Sequence, residues 1–298
     1  MVTASDTYVL AGEGYSDQSP LRVYLEKTTD VEPWSGNVYT RVGTMLEPLL
    51  MDLLAEQRGL TLTDGTTERH PLIAWLGATP DRNVLDDSGK RVAVVEGKAV
   101  MNPRSAAHWQ STPPDRVVIQ ATIQMLVTRT RMAYVPALLL GDFRVWELEL
   151  DERDLGPALL EMDEAFWHDH VLPRVPPPPD ATEASARALK ELYPRVKGGL
   201  VRATPEIEDA AREWFAARRT IEDAEARLQG AENVLKAAIG EHAQISGDGW
   251  LASWLPRKGS VSWKKAFDVL GPKVTAGVLE QFRNEDTRTF GCKPTTKG

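Results

Sequence analysis

The stretch "RVAVVEGKAV", Arg91–Val100, constrains the chain more than any other. Its valines and alanines make it a buried strand, yet it carries a carboxylate and an ammonium two residues apart. Side chains alternate along a strand, so Glu96 and Lys98 share a face with Val92, Val94 and Val100, while Gly97 points the other way. A lone charge on such a face costs on the order of several kcal/mol, so both groups need partners. Upstream, "LIAWLGATPD" is a second apolar run that ends on Asp81, and "DDSG" at Asp86–Gly89 is a turn. The two runs therefore read as neighbouring strands, with Asp81 as the partner at the end of the first.

Two carboxylates converging at a strand edge make a hard-oxygen site for Mg²⁺, with waters in the remaining positions. A lysine beside a metal-bound water can orient or deprotonate it and offset charge building at phosphorus. Metal-assisted phosphodiester hydrolysis is the chemistry this assembles. Glu47, at the edge of the apolar face of "RVGTMLEPLLMDLLAEQRG", is a further acidic ligand candidate. The plainer alternative is a Lys98–Asp81 or Lys98–Glu96 ion pair of structural value only. Spacing alone favours it, because an acid followed by E-x-K recurs by chance.

The periodicity elsewhere supplies a frame for that site. Val42, Met45, Leu46, Leu49, Leu50, Leu53 and Leu54 give the first helix one broad buried face. "STPPDRVVIQATIQMLVTRT" is a second helix, capped by Thr112, with Asp115 near its positive end. "MAYVPALLLG" and "FRVWELEL" are strands, and "DERDLGPALLEMDEAFWHDHVL" is a third helix. The order is that of an α/β sandwich with a central mixed sheet flanked by helices. "PRVPPPPD", Pro173–Asp180, reads as a stiff linker, which sets domains at 1–178 and 179–298. The second region is mainly helical: a long amphipathic helix over 204–242, then a small β element and a last short helix. That helix reads as a coiled coil, a subunit contact or an element docked on the core.

Composition narrows the function classes. The chain has 298 residues, 42% hydrophobic and 26% charged, an ordinary globular balance. No apolar run approaches a membrane span, and no secretion signal opens the sequence. The single cysteine, Cys292, excludes an internal disulfide framework or cysteine-ligated cluster, so a cytoplasmic protein is expected. A net charge of −8 argues against general coating of nucleic acid. Yet residues 80–131 hold eight Lys/Arg against five Asp/Glu, and residues 251–298 nine against four. Local basic surfaces on an acidic body suit a DNA enzyme with a channel. Trp250, Trp254 and Trp263, near Arg257, Lys258, Lys264 and Lys265, could stack on single-stranded bases, although packing of the small β element is the commoner use. His168 and His170 read as surface or packing residues. "DDSGKR" is no phosphate-binding loop, and "GEGYSD" is no dinucleotide fingerprint.

"GATPD", "VVEGKAV" and "VVIQATIQMLVT" together resemble the YqaJ-like viral recombinase family, the lambda-exonuclease-like branch of the PD-(D/E)xK nucleases. "VTASD" with "SPLRVYLEKTT", "GTMLEPLL" and the helix with its proline tail extend the likeness over most of residues 1–180. The resemblance implies a PD-(D/E)xK core in which Asp81, Glu96 and the Gly97 carbonyl bind Mg²⁺, for which Mn²⁺ can substitute. It implies Glu47 at a metal directly or through water, Lys98 as the catalytic lysine, and Gln120 completing the site. Ser5, Thr79 and Gln120 match a 5′-phosphate pocket. The arginine this family usually carries before its "TAS" segment would precede Met1, so either the true start lies upstream or another basic residue replaces it. The activity implied is digestion of one strand of linear double-stranded DNA, 5′ to 3′, in phage-type recombination. A single-strand annealing protein as partner and a homo-oligomer, such as a ring, go with it. An endonuclease on the same core and a non-catalytic DNA-binding accessory are the rivals.

Overall fold

The computed structural model describes residues 1–30, 36, 38–150, 153, 155–195 and 198–256. Cys292, the last short helix, and Trp263 with its basic neighbours Arg257, Lys258, Lys264 and Lys265 lie outside them. Among the described residues no helix is long and apolar enough to cross a membrane. Two compact units divide the chain, Met1–Tyr193 and Pro194–Gly298.

The first unit opens with β1 (Val2–Thr3), α1 (Ala4–Leu10), α2 (Pro20–Thr28) and α3 (Val38–Arg58). Six strands follow: β2 (Thr61–Asp64), β3 (Glu68–Arg69), β4 (Leu76–Ala78), β5 (Arg82–Leu85), β6 (Arg91–Val95) and β7 (Lys98–Val100). Then come α4 (Pro103–Ala106), α5 (Asp115–Thr128), β8 (Met132–Leu139), β9 (Asp142–Glu149) and α6 (Leu155–Phe166), which runs into a π-helical turn at Trp167–Val171. The unit ends with α7 (Glu183–Leu192).

The main sheet is mixed. β2, β5 and β6 pair antiparallel in turn, β8 pairs parallel with both β6 and β7, and β9 lies antiparallel on the other side of β8. Alternation sorts the side chains as expected. Val94 packs with Ala121 and Met125 of α5, and Val100 with Val117, while Ala93 and Val95 pack with Leu50, Met51 and Leu54 of α3. Helices thus cover both faces.

Four expectations change. The run before the "DDSG" turn is not one strand. Its first part, β4, joins a small separate sheet with β1 and β3, and only β5, beyond Pro80, forms the hairpin with β6. A proline offers no ladder donor, so the chain changes sheets there, and Asp81 stands just before β5. On α3 burial is confined to the second half, with Met45 79% exposed, because Val84, Ala93 and Val95 of the sheet reach only Leu50, Met51 and Leu54. At the start of α5 the cap is Pro114 rather than Thr112. The prolines at 113 and 114 delay the helix, since a residue before proline avoids helical angles. The first unit also runs past 178. α7, absent from the periodicity reading, is capped by the Thr182 hydroxyl and packs on α2, with Ala184 and Ala188 buried and Glu191 paired with Arg22 at 2.8 Å.

His168 and His170 serve packing. His168 meets the edge of Trp75, and His170 tilts against Phe166. The second unit consists, among its described residues, of α8 (Pro205–Ile239), 35 residues long, and the antiparallel hairpin of β10 (Gln244–Gly247) and β11 (Trp250–Ser253).

Candidate active site

β6 and β7 are one strand interrupted at Glu96–Gly97. Val95 lies opposite Tyr134 and Lys98 opposite Ala137, so the register survives the break. Its cause is in β8. The Glu96 N–H donates to the Tyr134 carbonyl at 3.0 Å, and the next rung of a parallel ladder would take its donor from residue 136, which is proline. The freed segment leaves Glu96 and Lys98 on the α5 face and turns Gly97 toward α3. A Cβ at Gly97 would sit 2.7 Å from Met51 Cε and 3.6 Å from Asp81 Oδ2, so a larger residue would displace the helix or the carboxylate.

The expected residues converge here. The Gly97 N–H donates to Asp81 Oδ2 at 2.7 Å. Lys98 Nζ donates to Glu96 Oε1 at 2.5 Å and to Gln120 Oε1 at 3.0 Å. Gln124, one helical turn after Gln120, donates through Nε2 to Glu96 Oε2 at 2.5 Å and is fully buried. Sequence reasoning missed Gln124. The signal was present in "IQATIQ", where an i, i+4 pair of glutamines must face the same way. Glu96, 3% exposed, is thus held from both sides.

The electrostatics suit a cation. Burial, with the Glu96 charge second, pushes the Asp81 carboxyl up to about 7. Burial works to lower the Lys98 ammonium, but the Glu96 carboxylate prevails and holds it above the ordinary lysine range. Lys98 is therefore a cation and a donor in this arrangement. Two carboxylates within electrostatic reach of each other, one of them poorly stabilised as an anion, form a hard-oxygen donor set that a divalent ion would relieve, so the residues present fit Mg²⁺.

Glu47 is not brought into that pair. Its Oε1 accepts from Arg82 Nη1 at 3.1 Å, and its charge reaches Asp81 only as a minor influence. Among the described residues no group of three His, Cys, Asp or Glu side chains gathers to hold a metal. Ser5 and Thr79 lie just past the matching ends of β1 and β4, which pair in parallel with Thr3 opposite Gly77. Both are exposed. Ser5 Oγ lies 3.3 Å from Thr3 Oγ1, and Thr79 Oγ1 lies 2.9 Å from Thr67 Oγ1.

A further set of contacts links α1 and the segment after it to Lys98. The Tyr8 hydroxyl is within electrostatic reach of Lys98 and accepts from Gln18 Nε2 at 3.1 Å. Gln18 Oε1 in turn accepts from the Tyr15 N–H at 2.9 Å. Over the exposed Tyr15 ring lies the Arg116 guanidinium, 4.6 Å from the centroid, on α5 one turn before Gln120. The aromatic face orients this guanidinium and leaves its N–H donors for an anion.

The chain is similar to several known proteins. The uncharacterized protein YqaJ of Bacillus subtilis (strain 168) is 22% identical over 248 residues, covering 80% of this chain and 75% of its own length. The alkaline exonuclease LHK-Exo of Laribacter hongkongensis is 20% identical, with 64% of this chain and 94% of that one covered and a TM-score of 0.48. A phage-related exonuclease of Haemophilus somnus 129PT is 13% identical, covering 64% of this chain and 96% of its own, with a TM-score of 0.41. The family model for the YqaJ-like viral recombinase domain matches residues 1–131, which hold Asp81, Glu96, Lys98, Gln120 and Gln124.

Proposed function

We propose that this protein is a Mg²⁺-dependent deoxyribonuclease that digests one strand of linear double-stranded DNA from its end, 5′ to 3′, in recombination. The observation that carries the reading is the convergence of Asp81, Glu96, Lys98, Gln120 and Gln124 at the one break in a central strand. A structural ion pair needs no second carboxylate within electrostatic reach and no pair of glutamines, one of them fully buried, fixing both partners. Asp81, Glu96 and the Gly97 carbonyl would hold the metal, with Glu47 reaching it through water once released from Arg82. The bound ion would supply a water of lowered pKa and neutralise charge at phosphorus.

The chain's own groups do the rest. Gln124 and Lys98 fix the two oxygens of Glu96, and the Gly97 N–H fixes Asp81, so neither carboxylate reorients during reaction. Lys98, kept cationic and aimed by Gln120, donates to the phosphate oxygen on which charge develops. Ser5, Thr79 and Gln120 supply neutral donors for the terminal phosphate. Released single strand would pass to an annealing protein, and the setting is the cytoplasm. The reading is tested by digesting a linear duplex and a covalently closed circle with wild type and Glu96→Ala, in Mg²⁺ or EDTA. Metal-dependent loss of the linear DNA alone, absent in the variant, is expected. Cutting of the circle would make the protein an endonuclease, and DNA binding with no cleavage would make it an accessory factor.

Arg116 belongs to the same reading as the strand's basic contact. Arg116→Ala is expected to raise KM about tenfold with kcat little changed, as for loss of one charge-assisted phosphate contact. It should also lower the salt dependence of binding by about one counterion. An unchanged KM and salt slope would remove Arg116 from the substrate path.

A further inference from the structure

α8 carries a pattern that the nuclease reading does not use. Ile207, Trp214, Ile221, Leu228 and Leu235 recur every seven residues, and each is followed three residues later by an alanine. This is a sustained a/d heptad repeat along a single 35-residue helix. Ile207, Ile221 and Leu228 are open, 58%, 50% and 70% exposed, while Trp214 and Leu235 are half-buried. A long apolar seam of this kind on a soluble helix requires a cover.

The seam's composition names that cover. In an antiparallel pair the a position of one helix faces the d position of the other, whereas in a parallel pair like faces like. Placing Ile221 opposite Ala224 of the partner subunit sets Ile207 opposite Ala238 of the partner subunit, and every layer between them then joins one large residue to one alanine. The parallel arrangement instead stacks tryptophan on tryptophan and leaves gaps at the alanine layers. The same antiparallel register sets Arg218 beside Glu225 of the partner subunit, once on each side of the two-fold axis, and creates no like-charge pair along the overlap. Both side chains project from the flank of the seam, where Arg218 pairs with the exposed Glu222 of its own helix at 3.3 Å. A self-complementary surface whose halves match under a two-fold rotation is the signature of an isologous dimer.

We propose that α8 forms an antiparallel two-stranded coiled coil with a second copy of this chain, centred between Ile221 and Ala224. The proposal does not depend on nuclease activity, and its test reads association directly.

Sedimentation equilibrium of the full chain should show a dimer at micromolar concentration. Ile221→Glu, which removes two buried isoleucines per dimer, should weaken it by about a hundredfold or more while circular dichroism keeps its helix signal. Arg218→Glu should weaken it less, and the double exchange Arg218→Glu/Glu225→Arg should restore it. Direction is read by cross-linking in a Cys292→Ser background. Ile207→Cys chains mixed with Ala238→Cys chains should form disulfides, while Ile207→Cys chains alone should not. Cross-linking of Ile207→Cys to itself would overturn the antiparallel arrangement. A monomeric wild type, or an oligomer indifferent to Ile221→Glu and to the charge exchange, would overturn the interface.

Discussion

Lys98→Ala is expected to lower the cleavage rate by about a thousandfold or more while the chain stays folded, as for loss of a group that acts on transition-state charge. Among the described residues Lys98 is the cation that pairs with Glu96, and two acceptors hold its Nζ, Glu96 Oε1 and Gln120 Oε1. Removing it leaves Glu96 buried with only Gln124 as a side-chain partner, so the thermal midpoint should fall as well. Stability and chemistry are separated by the double variant Glu96→Gln/Lys98→Met, which deletes both charges together. If the pair were only structural, this variant would regain stability and keep cleaving. The nuclease reading requires that it regain stability and stay inactive. Lys98→Arg should not rescue, because a planar guanidinium cannot occupy an ammonium's place between two acceptors about 3 Å away. Arg144→Ala, which breaks only an exposed pair with Asp142, is the control and should cleave at the wild-type rate. Full cleavage by Lys98→Ala would take the lysine out of the chemistry.

The sequence made the centre of this site readable and its surroundings obscure, for physical reasons. Glu96 and Lys98 stood out because a charge in a valine strand is costly, and alternation alone assigned their shared face. The structure puts that face against α5. Gln120 and Gln124 were harder. Both sit on the inner face of one helix, and a neutral amide there carries no cost large enough to single it out from a solvated residue. The strand pairing of Asp81 was misread because an apolar run tells a strand from a loop but not which sheet it joins, and Pro80 decides that. Glu47 was placed on the right helix, yet its side chain goes to Arg82, a pairing that helical period does not encode. The Tyr15–Arg116 stack joins residues far apart in sequence through a loop with no periodicity, so nothing short of the fold could bring them together. α7 escaped because its apolar face is mostly alanine, too weak a pattern beside four prolines.

A second large effect is expected away from the site, in how stability changes with pH. Asp163 on α6 is fully buried, and its Oδ1 has no hydrogen-bond partner among the described residues. Burial first, with the Asp6 charge adding to it and the Thr7 hydrogen bond opposing it, pushes this carboxyl up to about 7. The hydrogen bonds agree with a neutral acid. Thr7 Oγ1 lies 2.6 Å from Asp163 Oδ2 and 3.2 Å from the Thr3 carbonyl, and its single proton can serve only one of them. With Asp163 protonated, its hydroxyl donates to Thr7 and Thr7 donates onward to Thr3, so every proton is used. The folded state then binds a proton that the unfolded chain releases near pH 4, and between about pH 4 and 7 stability falls as pH rises. The full loss from this one group is about 4 kcal/mol, at about 1.4 kcal/mol per pH unit. Asp163→Asn keeps the shape, lets an amide donate to Thr7 and removes the titration. Urea unfolding in EDTA should find the two proteins within about 1 kcal/mol of each other at pH 5, and the variant more stable by about 3 kcal/mol at pH 8. Asp81 also titrates in this range, but it is common to both proteins and cancels in the difference. If that difference stayed constant from pH 5 to pH 8, Asp163 would not be a buried neutral acid.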